Sequence, residues 1–111
     1  MAHHRVEVIK KAGKEISRKF GRGAIAGATV DIDIKSKTVI SLNEKQTPYE
    51  HIVYAVHEII HTALELATHR LRVKFEDGDE ENLVEDMQDV FENTLKKSGL
   101  KGMLQKLKYP K

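Results

Sequence analysis

A long segment with strong helical signals occupies the middle of the chain. It opens with Thr47-Pro48-Tyr49-Glu50. Thr47 can act as the N-cap, Pro48 suits the first helical position, and Glu50 completes a capping box. Apolar side chains then recur at about 100° per residue and form one wide face, made of Val53, Val56, Ile59, Ile60, Ala63 and Leu64. The pattern predicts an amphipathic helix that runs to about residue 70.

The same helix contains His57-Glu58-Ile59-Ile60-His61, which is an H-E-x-x-H arrangement. Residues four apart on a helix share a face, so two such histidines can bind one zinc ion. Glu58 would then lie next to the metal as a general base. The histidines lie at the border of the apolar face, where the floor of a cleft is expected. Ordinary hydrogen-bonded histidines are the alternative interpretation.

Composition restricts the kind of site that the chain can build. The 111 residues are expected to form one domain, residues 1–111, with a short basic C-terminal tail from about residue 99. The sequence has no cysteine, which excludes disulfides and thiolate zinc ligands, so a metal would use histidine and carboxylate. No apolar run approaches the roughly 18 residues of a membrane span, and no secretory signal is visible. We therefore expect a cytoplasmic protein with no membrane partner.

The first half of the chain predicts a helix followed by a small sheet. Between residues 5 and 20, Val6, Ile9, Ile16 and Phe20 recur at helical spacing, which predicts an N-terminal helix. Residues 28–34 alternate between apolar and polar side chains, and residues 38–42 are rich in β-branched side chains. These two runs predict an antiparallel hairpin.

The last third of the chain predicts two more helices. Asp79 is a plausible N-cap for an acidic helix that ends near Ser98-Gly99. A last short helix is expected between Leu100 and Leu107. The predicted fold class is therefore α+β, with an N-terminal helix, a β-hairpin or small antiparallel sheet, the H-E-x-x-H helix, an acidic helix and a short C-terminal helix.

Two histidines do not complete a catalytic zinc site, which usually has three protein ligands and one open position. Candidates for the third ligand are His51, His69 and the carboxylates of residues 76–86. His69 lies about 12 Å beyond His61 along the helix, which is too far for the same ion. A third histidine six residues after His61 is excluded, because that position holds Ala67. The carboxylates are the better source.

The H-E-x-x-H helix and the later run Glu81-Asn82-Leu83-Val84-Glu85 together resemble the zincin metallopeptidases of the gluzincin type. The order of elements also resembles small ImmA/IrrE-type and phage-encoded zinc peptidases. The resemblance implies a compact minimal zincin-like domain that acts as a zinc metalloendopeptidase, a hydrolase. It also implies that His57, His61 and Glu81 bind Zn²⁺, and that Glu85 orients one of the histidines. The longer Glu-helix signature of the ImmA/IrrE branch is absent, so Glu85 stays open as the third ligand, with Glu81 preferred.

The implied reaction is hydrolysis of a peptide or protein substrate by a zinc-activated water, with Glu58 as general base. A further hydrogen-bond donor would stabilise the transition state. Candidates are Tyr54, which we name first, and His51, His69 and Arg70. The run Thr38–Leu42 could bind an extended peptide by strand addition.

The alternative function is a non-catalytic zincin-fold module that binds an acidic protein or a nucleic acid. Basic side chains concentrate in residues 5–22 and 96–111, on either side of the acidic residues 76–92. Lys10, Lys14 and Arg18 would form a basic face on the predicted N-terminal helix. Nucleic acid is the less favoured partner, because solvated helix faces account better for such charges. No pattern in the sequence indicates an oligomeric state.

Overall fold

The computed structural model describes residues 4–12 and 28–110. Within them the chain is a small α+β fold with a three-stranded mixed sheet and three helices. The strands are β1 (Arg5–Lys11), β2 (Ala28–Ile32) and β3 (Lys37–Asn43), and the helices are α1 (Pro48–Leu71), α2 (Asp79–Lys97) and α3 (Leu100–Gln105). None of these helices is long and apolar enough to cross a membrane.

The central strand of the described sheet is β3, because the spatial order is β1-β3-β2. The predicted hairpin is confirmed: β2 and β3 pair antiparallel, with Val30 opposite Ile40. β1 pairs with the other edge of β3 in the parallel direction. The interpretation of Thr38–Leu42 as a strand that accepts a substrate peptide is therefore wrong, since both of its edges are already paired.

The predicted N-terminal helix is also wrong for residues 5–11, which form β1. Residues 13–20 and the glycine-rich connection at 21–27 lie outside the described residues. Val6 and Val8 are β-branched and share one face of β1, and Lys37 forms an ion pair with Glu7 across the strands at 3.3 Å. The backbone pairing with β3, which is distant in sequence, outweighs the weak helical preference of the segment.

The capping box at the start of α1 is confirmed. The Glu50 amide donates to the Thr47 hydroxyl, and the Thr47 amide donates to the Glu50 carboxylate. α2 begins differently from expectation: Gly78, in a left-handed conformation with φ 85°, occupies the N-cap position in place of Asp79. Glycine adopts this conformation without the steric penalty of a side chain.

The core lies where α1 covers β2 and β3. Ile40, Leu42 and Ala28 are buried there, with Val30 and Ala55 packed against them. α2 packs against α1 and contributes Val84, which is fully buried. This arrangement holds the middle of α1 between the sheet and the first turns of α2, and so sets the environment of the two histidines.

Candidate metal centre

His57 and His61 lie one turn apart on α1, and their ring centroids are 5.0 Å apart. The side chains of His57 and His61 are 29% and 16% exposed to solvent, respectively, so both are partly buried. Burial lowers the pKa of His57, and the neighbouring His61 acts in the same direction, while Glu81 and Glu85 oppose them. A lowered pKa favours the neutral imidazole, which is the form that binds a metal.

Glu81, in the first turns of α2, faces both histidines. Its carboxylate oxygens lie 3.8 Å from His57 Nε2 and 3.3 Å from His61 Nε2. One ligand atom from each of the three residues can be chosen so that all lie within 4.8 Å of one another. Ligand atoms that surround zinc tetrahedrally at about 2.0–2.1 Å are separated by about 3.3 Å. The three side chains form a group that could hold a metal ion if their ligand atoms move closer together.

Glu80 makes the contact with a histidine ring that we expected Glu85 to make. Its Oε2 accepts a hydrogen bond from His61 Nδ1 at 2.9 Å. A proton on Nδ1 makes this bond, and Nε2 of the same ring lies 3.3 Å from the Glu81 carboxylate. From the sequence alone, Glu80 is expected only to add negative charge at the start of the acidic helix. Its role depends on how α2 crosses α1, which the spacing of residues does not reveal.

Glu85 lies one turn after Glu81 and is exposed. It acts on His57 through its charge, as the effect on the histidine pKa shows. Among the described contacts, neither histidine has a hydrogen bond with Glu85. In this geometry the Glu81 carboxylate is the one that approaches Nε2 of both His57 and His61.

Glu58 lines the same cleft, next to His57 in the chain. Burial raises its pKa to about 7, with the negative charge of Glu81 adding to the effect and His61 opposing it. A carboxylate whose pKa lies near neutrality can both accept and return a proton at physiological pH.

The cleft around these residues has a volume of about 400 Å³. It lies between α1, the start of α2 and the sheet, from which Val30 of β2 contributes a wall. Glu65, one turn after His61, also lines it, and burial raises the Glu65 pKa. The cleft is therefore rich in carboxylates, with an apolar wall on the side of the sheet.

The proposed transition-state donors do not gather at this cleft. Tyr54 lies one turn before His57 on α1 and is partly exposed, but it is not among the residues that line the cleft. His51 is buried and already bonded: its Nε2 donates to the Asn43 carbonyl at 2.6 Å, and its Nδ1 pairs with the Tyr109 hydroxyl. Among the residues described, the cleft is lined by neither His69 nor Arg70.

Comparison of the chain with family models, with curated proteins and with solved structures finds no match in any of the three. The functional argument therefore depends on the residues of the site and on their geometry.

Proposed function

We propose that the chain is a zinc-dependent metallopeptidase that hydrolyses peptide bonds in the cleft between α1, α2 and β2. The observation that carries this proposal is the convergence of His57, His61 and Glu81 within one cleft that also contains Glu58. The three ligands leave room for a fourth position, as catalytic zinc sites require. A purely structural site would have no use for a carboxylate base beside the metal.

The residues divide the chemistry among them. Zinc, when bound, acts as a Lewis acid and lowers the pKa of a water molecule. Glu58 accepts a proton from the attacking water and returns it to the leaving amine. Glu80 holds His61 in the tautomer that presents Nε2 to the ligand group. Val30 provides an apolar surface on which the substrate can rest.

The experiment that tests this function compares two substitutions in the same cleft. Glu58→Gln removes the base but keeps the size of the side chain, and Glu65→Gln makes the same change in a carboxylate to which we assign no role. Both purified proteins are loaded with zinc, and hydrolysis is followed with a mixed library of fluorogenic peptides. We expect Glu58→Gln to keep its zinc and lose about 10²–10⁴-fold in rate, the usual contribution of a general base. Glu65→Gln is expected to retain most of the rate.

Two results would contradict the proposal. The first is full activity in zinc-loaded Glu58→Gln, because the base would then be another residue. The second is the absence of peptide hydrolysis by the zinc-loaded unchanged protein across the library, which would favour a non-catalytic binding module. The basic helical face proposed for that module is not present in residues 5–11, because they form β1, and Lys14 and Arg18 lie outside the described residues.

A further inference from the structure

α2 has a second surface that the metal centre does not use. Leu83, Met87 and Val90 are 37%, 43% and 66% exposed, respectively, although each is apolar. Their spacing of four and then three residues places them in one stripe along the helix. Val84 and Gln88, which are buried, face away from this stripe. We call Leu83, Met87 and Val90 the α2 stripe.

The α2 stripe continues into polar residues of opposite charge at its two ends. Asp79, in the acidic first turn of α2, lies four residues before Leu83. Thr94 lies four residues after Val90, and Lys97, in the basic last turn, lies three residues after Thr94. Val90, Thr94 and Lys97 also line a shallow depression on the surface. The stripe thus has a negative end, a positive end and a hollow near the positive end, and Asp86, three residues after Leu83 and four before Val90, lies beside its apolar middle.

The two ends of this surface are complementary when one copy is reversed, because the negative end then meets the positive end. We propose that a second copy of the chain packs against the α2 stripe, antiparallel and about a two-fold axis. Met87 then lies against the partner's Val90, and Leu83 enters the depression beside the partner's Thr94. Asp79 faces the partner's Lys97, and the same pair recurs at the other end. A parallel arrangement would instead bring like charges together at both ends.

The size of the surface determines how strong this association is. The 19 residues of α2 form a helix about 28 Å long. A contact along one such helix pair falls below the roughly 1,200 Å² of standard stable interfaces. The dimer is therefore expected to be weaker than a standard stable complex.

Glu81 and the α2 stripe occupy different sides of α2, but Glu80, three residues before Leu83, lies only about 60° from the stripe. Leu83 follows Glu81 by two residues, which places it about 200° further round the helix. Because Val90 lies two turns beyond Leu83, Val90→Glu is expected to weaken association while zinc content stays the same. This independence allows the failure of the dimer to be distinguished from failure of the metal site.

Sedimentation equilibrium over about 10 μM to 1 mM protein tests the association directly. Val90→Glu places a charge at the most exposed residue of the stripe, where Met87 of the second copy would pack, and is expected to weaken association at least about 10-fold. Val73→Glu is the matched control, because Val73 is apolar and 58% exposed but lies outside α2. We expect that control to associate as the unchanged protein does. A monomer at every concentration, or equal effects of the two substitutions, would overturn the proposal.

Charge reversal tests the antiparallel register. Asp79→Lys and Lys97→Glu are each expected to weaken the dimer, and the protein with both changes is expected to recover it. A second readout does not depend on the stability of the charge variants, since the chain has no cysteine of its own. Leu83→Cys and Thr94→Cys are mixed and oxidised with glutathione disulfide. The register predicts disulfides mainly between the two different variants, and disulfides within each variant alone would refute it.

Discussion

Glu80 offers a sensitive test of the proposed metal centre, because it would act on a bound zinc ion only through His61. Its Oε2 lies 2.9 Å from His61 Nδ1, and the two side chains are 27% and 16% exposed, so water replaces this bond poorly. Loss of such an orienting carboxylate typically weakens metal binding about 10–100-fold. That corresponds to about 1.4–2.7 kcal/mol of binding free energy. We therefore predict this loss of zinc affinity for Glu80→Ala, with the helices intact.

The matched control is Glu85→Ala, which removes the same charge from the same helix one turn further on. Zinc affinity is measured for both variants by competition with a fluorescent chelator at neutral pH, and helix content by circular dichroism. Glu85→Ala is expected to bind zinc nearly as tightly as the unchanged protein. If both variants lose affinity equally, then charge alone accounts for the effect. If only Glu85→Ala loses affinity, Glu85 is the orienting residue and the reasoning about Glu80 is refuted.

Three further predictions concern the scaffold, and urea unfolding measures each of them. Val84→Ala empties a fully buried position between α1 and α2 and should lower the free energy of unfolding by about 2 kcal/mol; no change would mean that the helices do not pack there. Thr47→Ala removes the capping hydroxyl and should cost about 1 kcal/mol, whereas Thr94→Ala, at an exposed position within α2, should cost much less. Tyr109→Phe leaves His51 Nδ1 without its hydroxyl partner and should cost about 1 kcal/mol; an unchanged midpoint would show that Tyr109 does not hold the chain end against α1.

Local signals predicted the elements whose stability is local. The capping box at Thr47 and Glu50 correctly predicted where α1 begins, because both partners lie within one turn. The alternation in residues 28–34 correctly predicted β2 and its antiparallel pairing with β3, since a short connection joins the two strands. The short helix α3 was also correctly expected after Gly99.

The errors fall where a distant partner decides the structure. Residues 5–11 carry apolar side chains that fit a helical face, but Val6 and Val8 also alternate with Glu7, and pairing with β3 selects the strand. Nothing within seven residues indicates that a parallel partner lies about thirty residues away in the chain. The central position of β3, which removes it as a site for an added strand, follows from that same pairing.

The candidate site shows the same division. Two histidines four apart on a helix had to share a face, and the structure places them so. Glu81 was proposed from a resemblance, and in the structure its carboxylate lies near Nε2 of both histidines. Glu80 was missed because Glu80 and Glu81 point about 100° apart on α2, and only the packing of α2 on α1 determines that both reach His61.

The most direct test of the account is the ratio of zinc to protein, measured by native mass spectrometry on protein without a purification tag. Glu81→Ala removes the third ligand, and Glu85→Ala serves as the control on the same helix. The account predicts one zinc per chain in the unchanged protein and in Glu85→Ala, and none in Glu81→Ala. Absence of zinc from all three proteins after zinc has been supplied would contradict the metal centre, and with it the proposed hydrolysis.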